Sequence, residues 1–224
     1  MAWRELLFAH WRVSPESLRA LIPEPLEIDR FNDTCYVGVV PFIMEGVRGR
    51  WLPPFPTTGR FLELNLRSYV TLDGKPGVWF FSLDAESALA VRAARLSFGL
   101  PYFDASMQLE RRDGWTHYRS ERTHRGAPAA LFEGRYRGVG ESFEAKPGSL
   151  EHWLTERYCL YVGAGPRGVR RGDIHHHPWA LRRGEAEISS CSLIEAAGLE
   201  PEGAPLLHAS AGVDTVSWLP QRCR

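Results

Sequence analysis

Lysine is almost absent from this sequence. Only Lys75 and Lys146 are lysines among the 27 basic residues, and the others are arginines. A lysine attacks a carbonyl compound to form a Schiff base only when its amine is desolvated or lies beside another cation. Lys75 falls in a predicted turn and Lys146 precedes Pro147-Gly148, so we expect both ammonium groups to be exposed and protonated. Schiff-base chemistry therefore has no suitable residue.

Other classes of protein are excluded by features that the sequence lacks. Acidic residues also number 27, so no net positive charge is present to attract the phosphates of a nucleic acid. No apolar run approaches the roughly 20 residues that span a bilayer. Residues 1–13 carry Arg4, Glu5, His10 and Arg12 instead of the apolar core of a signal peptide. We expect a cytoplasmic protein with no nucleic-acid or membrane partner.

Cysteines and common catalytic motifs are missing in the patterns that would carry chemistry. The four cysteines are far apart and form no CxxC pair, which argues against a disulfide framework or a zinc knot. No GxSxG, Walker loop or HExxH is present, which removes the usual hydrolase, nucleotide-triphosphatase and zinc-protease motifs. We expect no cofactor and no bound metal.

The composition favours one folded domain. The chain has 224 residues, of which 44% are hydrophobic, enough to bury a large core. It contains no internal repeat and no convincing linker, so we predict a single domain over residues 1–224. The oligomeric state stays open, and a homo-oligomer is compatible with the sequence.

Alternating patterns dominate and predict a mainly antiparallel α+β fold. Residues 60–72 form the clearest strand, and the turn at 73–77 leads from it into a second strand as in a hairpin. Because no regular βαβ alternation appears, a doubly wound fold is disfavoured. Further strands are predicted at 34–43, 78–83, 105–112, 116–123, 131–138, 169–177, 185–194 and 206–218, short helices after Ser14, at 86–96 and after Ser149, and loops at 51–59 and 163–168.

The strand at 60–72 has a polar row on one face. Glu63, Asn65 and Arg67 alternate with leucines and are flanked on their own face by Phe61 and Tyr69. A row of this kind is a solvated face in most antiparallel strands. Here the next strand, 78–83, is apolar on both faces, which indicates that both sides of the hairpin are covered. Covered polar groups must pair, as Glu63 with Arg67, or meet a small polar ligand.

Four segments resemble acetoacetate decarboxylase. They follow one another in the same order and at nearly the same spacing as in that family, over residues 3–107. The segments are 3–5 (WRE, for its NRE motif), 22–28 (IPEPLEI, for VPEPLEI), 59–63 (GRFLE, for its aromatic-X-Glu strand start) and 94–103 (ARLSFGLPYF, for GRExxGxPKK, with Arg95, Gly99 and Pro101 at matching offsets).

This resemblance implies a binding site without its nucleophile. The family works through a Schiff-base lysine, and its lysine pair falls on Tyr102 and Phe103, neither of which forms an imine with a ketone. Arg4 falls on the arginine that holds the substrate carboxylate, and Glu63 falls on the active-site glutamate. The anion-binding half of the site is thus retained.

Over its whole length the chain resembles another branch of the same superfamily, the uncharacterised YqjF-like proteins. That branch implies the decarboxylase-like fold, a curved antiparallel sheet that forms a partial barrel around a central cavity with a few short helices, and it implies no activity. The resemblance rests on residues 8–11 (FAHW), 61–70 (FLELNLRSYV), 77–84 (GVWFFSLD), 100–102 (LPY), 154–158 (LTERY) and 177–179 (HPW).

Histidines supply further candidates. On a strand, His175 and His177 point to one side, and imidazoles at that spacing can share a divalent ion, but no third ligand is adjacent in sequence. We therefore favour a pocket histidine over a metal ligand at His177. His10 lies on the first predicted strand, near Arg4 by alternation, and we interpret it as part of the pocket wall. Glu156 and Arg157 are interpreted as a structural ion pair.

We hypothesise that the protein binds, or acts non-covalently on, a small anionic organic acid or a carbonyl compound. Glu63 is the predicted acid or base, and Tyr102 polarises the carbonyl group. The alternative is a non-catalytic binding or sensing protein that keeps the cavity. The predicted substrate-binding residues are Arg4, His10, Asn65, Arg67 and His177.

Overall fold

The computed structural model describes residues 1–47, 59–163 and 168–223, except for the side chains at positions 90, 93, 94 and 97. Nearly all of the two predicted loops, 51–59 and 163–168, lies outside the described residues. The described strands are β1 (Ala2–Val13), β2 (Glu27–Ile28), β3 (Cys35–Glu45), β4 (Arg60–Leu72), β5 (Lys75–Ala85), β6 (Tyr102–Arg112), β7 (Trp115–Arg122), β8 (Leu131–Phe143), β9 (Cys159–Val162), β10 (Arg170–His176), β11 (Leu181–Cys191), β12 (Glu202–Ser217) and β13 (Gln221–Arg222). The described helices are α1 (Pro15–Leu21), α2 (Ala88–Ser97), α3 (Leu150–Thr155) and α4 (Leu193–Ala196).

The predicted elements are confirmed, and four short ones were missed. The strand predicted at 60–72 coincides with β4, while β2, β9, β13 and α4 carry too few residues to give a periodic pattern. Ser14 caps α1 by accepting a hydrogen bond from the backbone N–H of Ser17 at 3.4 Å. Ser149 caps α3 in the same way, from His152 at 3.2 Å.

The strands form one large, curved, mainly antiparallel sheet. Pairing follows the order β13-β10-β9-β5-β6-β7-β8-β11-β12-β1-β3-β4-β2, with additional β10–β12 and β5–β4 pairs. The long β4–β5 hairpin is antiparallel, whereas β5 joins β6 and β9 through short parallel contacts. The sheet therefore branches at β5 and wraps around the interior as a partial barrel. The predicted architecture, a curved and mainly antiparallel sheet with a few short helices, is confirmed.

The two faces of β4 pack into two different hydrophobic cores. Leu62, Leu64 and Leu66 join the first core, which also contains Met107 and Phe132 of the opposing strands. The other face of β4 joins a second core, rich in aromatic side chains, which includes Phe8, Phe61, Tyr69, Leu154 and Trp179. The polar row therefore lies inside the protein, and the solvated-face alternative is wrong. Glu63 and Asn65 are only 2% and 6% exposed.

The described helices are all short or polar. None of them combines the length and the apolar character that a membrane-spanning helix needs.

One close backbone contact holds β5 against β9. A Cβ atom at Gly77 would lie 2.7 Å from the Sγ atom of Cys159 and 2.9 Å from its backbone carbonyl oxygen. We predict that Gly77→Ala lowers the free energy of unfolding by about 1–3 kcal/mol, because the backbone of β9 cannot yield without losing strand pairing. Urea unfolding measures the change.

Gly138→Ala is the matched control, since its new Cβ meets the flexible side chain of Arg182 at 3.1 Å. Equal destabilisation by the two variants would contradict the prediction.

Candidate functional site

Five polar side chains from three strands share the aromatic interior. We call His10, Glu63, Asn65, Arg67 and Tyr102 the interior polar cluster. Strand register brings them together, because His10 and Arg67 both lie opposite Gly38 of β3. Likewise, Asn65 lies opposite Leu83, and Leu83 lies opposite Tyr102. Four of the five are buried, and Arg67 is half-buried.

Glu63 and Tyr102 form a buried pair at one end of the cluster. The Tyr102 hydroxyl donates to the Oε2 atom of Glu63 at 3.0 Å. Burial raises the pKa of Glu63 to about 8, and the hydrogen bond from Tyr102 opposes this only in part. The pKa of Tyr102 is raised well above its usual value, by burial first and then by Glu63. At neutral pH both groups therefore carry their protons, so the pair can donate a hydrogen bond to a carbonyl oxygen.

The main chain around this pair is fixed by side chains outside the cluster. The Nη1 atom of Arg95 donates to the Tyr102 carbonyl oxygen at 3.0 Å, and the Tyr118 hydroxyl donates to the Glu63 carbonyl oxygen at 2.9 Å. Strand alternation turns Phe103 away, so that its ring packs 4.4 Å from the guanidinium of Arg122. Only the first position of the predicted lysine pair faces the interior.

Arg67 forms the cationic end of the cluster. Its Nη2 atom is 3.4 Å from the Leu154 carbonyl oxygen, and its guanidinium carbon lies 5.6 Å from the ring centre of Phe8. Pairing with Glu63, the structural alternative to ligand binding, is absent, and within the described part of the chain no carboxylate forms an ion pair with Arg67. Burial, and then the Arg67 charge, lower the pKa of His10 well below its usual value. His10 is therefore neutral beside an uncompensated cation.

Several polar atoms of this interior have no hydrogen-bond partner among the described residues. They are both ring nitrogens of His10, the Oδ1 atom of Asn65, the Nε atom of Arg67 and the indole nitrogen of Trp3. Leaving a buried polar atom unpaired costs about 1–3 kcal/mol, so native proteins pair such atoms with ligand, water or protein. Five of the ten unpaired buried side-chain atoms among the described residues therefore lie in this interior, on β1 and β4.

Arg4 does not reach the cluster. Its guanidinium pairs with Asp214 at 2.5 Å and lies 3.8 Å from Glu45, and the side chain is 36% exposed. The reason is a bulge in β1, where Glu5 has a φ of +54° and the register with β3 shifts. The extra residue reverses the alternation, so Arg4 and His10 face opposite sides. The predicted proximity of Arg4 to His10 is therefore wrong.

His177 is also misplaced in the prediction. His175 and His177 are exposed, whereas His176 is buried and packs 5.0 Å from the ring centre of Trp179. A one-residue difference in strand phase exchanges the inner and outer histidines. Among the described residues no three His, Cys, Asp or Glu side chains are grouped as a metal site.

His176 and Gly38 are the interior residues that the sequence analysis missed. Ile174 lies two residues before His176 and packs against the second core, so strand alternation from this apolar residue was a signal for an inward histidine. Gly38 offered no sequence signal, yet a Cβ atom there would lie 2.9 Å from the His10 ring. Its lack of a side chain therefore lets His10 lie over β3.

Both lysines lie outside the interior. The Nζ atom of Lys75 pairs with Asp173 at 2.8 Å, and Lys146 is exposed. Since the sequence contains no other lysine, no lysine amine faces the cluster.

Glu156 and Arg157 have structural roles, but they do not pair with each other. Glu156 accepts a hydrogen bond from the backbone N–H of Trp179 at 2.9 Å, and Arg157 pairs with Asp29 at 2.6 Å.

The chain is similar to proteins of one family along most of its length. The model of the DUF2071 family, described as an uncharacterized conserved protein, matches residues 1–214. Uncharacterized protein YqjF of Bacillus subtilis (strain 168) is 45% identical over 217 residues, which cover 96% of this chain and 88% of that protein.

Solved structures with the same fold share little sequence with this chain. The enduracididine biosynthesis enzyme MppR complexed with pyruvate has a TM-score of 0.62 at 15% identity, covering 97% of this chain and 88% of that one. Acetoacetate decarboxylase from Legionella pneumophila has a TM-score of 0.64 at 12% identity, covering 98% and 86%. At these identities the likeness shows the fold alone.

The raised pKa of Glu63 makes stability depend on pH. Its pKa is about 8 in the folded protein against a usual value of 4.5, so between these values the folded state keeps a proton that the unfolded chain releases. The free energy of unfolding should therefore fall as pH rises from about 4.5 to 8, by at most about 1.4 kcal/mol per pH unit from this group.

Glu63→Gln should remove the pH dependence that Glu63 contributes to the free energy of unfolding. The difference between the variant and the natural protein should therefore shift in favour of the variant as pH rises. Urea unfolding at pH 5, 6.5 and 8 measures the difference. Glu110→Gln, at an exposed position of β6, is the control. Parallel pH profiles for the natural protein and Glu63→Gln would show that Glu63 ionises normally in the folded state.

Proposed function

The chain belongs to the DUF2071 family, and we propose that it binds a small organic acid or carbonyl compound in the interior polar cluster without a covalent bond. Arg67 holds the anionic group, and the Glu63–Tyr102 pair holds and polarises the carbonyl group. The observation that carries the proposal is the set of unpaired buried polar atoms around an uncompensated arginine.

The charge of Arg67 favours an anionic ligand. An unpaired guanidinium in a half-buried position is costly, and an anion supplies the missing charge through two parallel hydrogen bonds. His10 beside it is neutral and has both ring nitrogens free, so it can add one further donor. No described carboxylate competes for this position.

The Glu63–Tyr102 pair favours a carbonyl group. A carboxyl group with a pKa of about 8 is a proton donor near neutral pH, where an ordinary glutamate is ionised. A protonated, buried carboxyl group stabilises negative charge that develops on a carbonyl oxygen. Glu63 would thus be the general acid of enolisation: it gives its proton to the carbonyl oxygen while water or a buffer base takes a proton from the adjacent carbon, and the reverse transfers restore the ketone and the protonated Glu63.

The structural neighbours favour the same class of ligand. The MppR structure is a complex with pyruvate, a small oxo acid, and acetoacetate decarboxylase is named for another. This chain has a tyrosine at the position that corresponds to the lysine of acetoacetate decarboxylase. We therefore propose that it holds its ligand by hydrogen bonds, where acetoacetate decarboxylase forms an imine.

A binding or sensing protein is the second candidate. In favour of it, the Tyr102 hydroxyl already donates a hydrogen bond to Glu63, which leaves the carboxyl proton of Glu63 as the donor that holds a ligand. The two functions differ in whether Glu63 transfers a proton.

Deuterium exchange next to the carbonyl group separates the two functions. In deuterated buffer with 4-oxopentanoate as probe, the protein should accelerate exchange, which proton NMR follows. Glu63→Gln should stop the acceleration, since an amide cannot transfer the proton, while the dissociation constant changes less than about five-fold.

Binding without exchange by the natural protein would favour the sensing function. If the probe does not bind, or binds equally to Arg67→Met, the proposed site is wrong. Arg119→Met, at an exposed ion pair on β7, is the control.

Trapping with borohydride tests the absence of imine chemistry. Incubation with pyruvate and sodium borohydride should leave the mass of the protein unchanged, because Lys75 pairs with Asp173 and Lys146 is exposed, so neither amine faces the interior polar cluster. Acetoacetate decarboxylase from Legionella pneumophila, treated in parallel, serves as the positive control. A stoichiometric adduct on Lys75 or Lys146 in mass spectrometry would contradict the non-covalent mechanism.

A further inference from the structure

The two functional ends of the interior polar cluster are far apart along one strand. Glu63 and Arg67 lie on the same face of β4 and are four residues apart, which corresponds to about 13 Å of strand. Asn65 lies midway between them, with its Oδ1 atom unpaired. The cluster is therefore a row with two distinct ends, not a ring around one point.

The contacts of each end confirm this separation. Glu63 contacts Tyr102, whereas the Arg67 side chain extends toward the Leu154 carbonyl oxygen, with the rings of Phe8 and Tyr69 at 5.6 Å and 6.0 Å. The Arg67 charge contributes to the pKa of His10 and His176 after burial, whereas the pKa of Glu63 is set by burial and Tyr102.

From this geometry we propose that the ligand is an elongated oxo acid, whose carboxylate binds Arg67 while its carbonyl oxygen binds the Glu63–Tyr102 pair. This inference rests on the proposed function and specifies its substrate class. Hydrogen bonds of about 3 Å at each end leave about 7 Å between the two ligand groups. At about 1.5 Å per carbon–carbon bond, that span needs roughly two to four carbons between carboxyl and carbonyl.

The spacing discriminates against short oxo acids. In a 2-oxo acid the carbonyl carbon is bonded directly to the carboxylate, and in a 3-oxo acid a single carbon separates them. Neither can reach both ends of the row, so each would engage one end and leave the other unpaired. Val40 and Leu83 flank Asn65 on the two neighbouring strands and belong to the second core, and their apolar side chains suit the intervening methylene groups of a longer acid.

Calorimetric titration with four probes tests this inference. The probes are pyruvate, 5-oxohexanoate, hexanoate, which lacks the carbonyl group, and 2-hexanone, which lacks the carboxylate. We expect 5-oxohexanoate to bind at least ten-fold more tightly than each of the other three. Arg67→Met should reduce 5-oxohexanoate to the affinity of 2-hexanone, and Arg60→Met, an exposed position on the same strand, should leave all four affinities unchanged.

Each other result has a separate meaning. If pyruvate binds as tightly as 5-oxohexanoate and Arg67→Met weakens both, the proposed function stands and the inference on length is wrong. If 5-oxohexanoate keeps its advantage in Arg67→Met, the position of the carboxylate is wrong. If none of the probes binds, the proposed function fails, and this inference fails with it.

A second variant covers a failure of Arg67→Met to fold, which circular dichroism detects. Arg67→Lys keeps the charge but loses the planar pair of donors. It should weaken 5-oxohexanoate about ten-fold and leave 2-hexanone unchanged, and equal affinities in both proteins would overturn the assignment of the carboxylate to Arg67.

Discussion

The alternation of side chains along β4, combined with burial of both its faces, is the constraint on which this protein depends. One face supplies leucines to a first core, so the register of the strand cannot slip by one residue without placing polar groups among them. The same register holds Glu63, Asn65 and Arg67 in the second, aromatic core. The packing that stabilises the fold thus maintains a polar row that contributes little stability of its own. Strand geometry keeps the carboxyl group of Glu63 apart from the guanidinium of Arg67, so the two groups do not pair although they share one interior.

The chemistry of the interior follows from how desolvation changes the charge of each polar group. Glu63 keeps its proton, because burial penalises the carboxylate more than the hydrogen bond from Tyr102 favours it. A guanidinium keeps its charge in proteins. Because Arg67 is half-buried, its charge is only partly solvated and acts on its neighbours. His10 responds by remaining neutral. A neutral acid at one end and a lasting cation at the other end give the row a direction, and an oxo acid has the complementary direction.

Replacing a lysine by a tyrosine changes the kind of chemistry while the local scaffold persists. The segment before Tyr102 resembles the decarboxylase motif, and its Arg95 still holds the main chain at Tyr102. The phenol of Tyr102, placed next to Glu63 by that main chain, donates a hydrogen bond. An amine at the same position would be a nucleophile. The fold therefore fixes the position of the side chain at residue 102 of β6, while the residue type at that position decides its chemistry.

The sequence alone determined the strands, the mainly antiparallel α+β class, the resemblance that named the fold, and the inward direction of Glu63, Asn65 and Arg67. These follow from local periodicity and from motifs, which can be recognised without knowledge of distant contacts. The tertiary structure decided which other residues join them. Arg4 was expected inside, but the bulge at Glu5 turns it toward Asp214, and a one-residue phase difference puts His176 inside in place of His177. The bulge appears in the pairing of β1 with β3, and the phase of His176 appears in the pairing of β10 with β12. Both depend on strands elsewhere in the chain, so the local pattern of residues cannot report them.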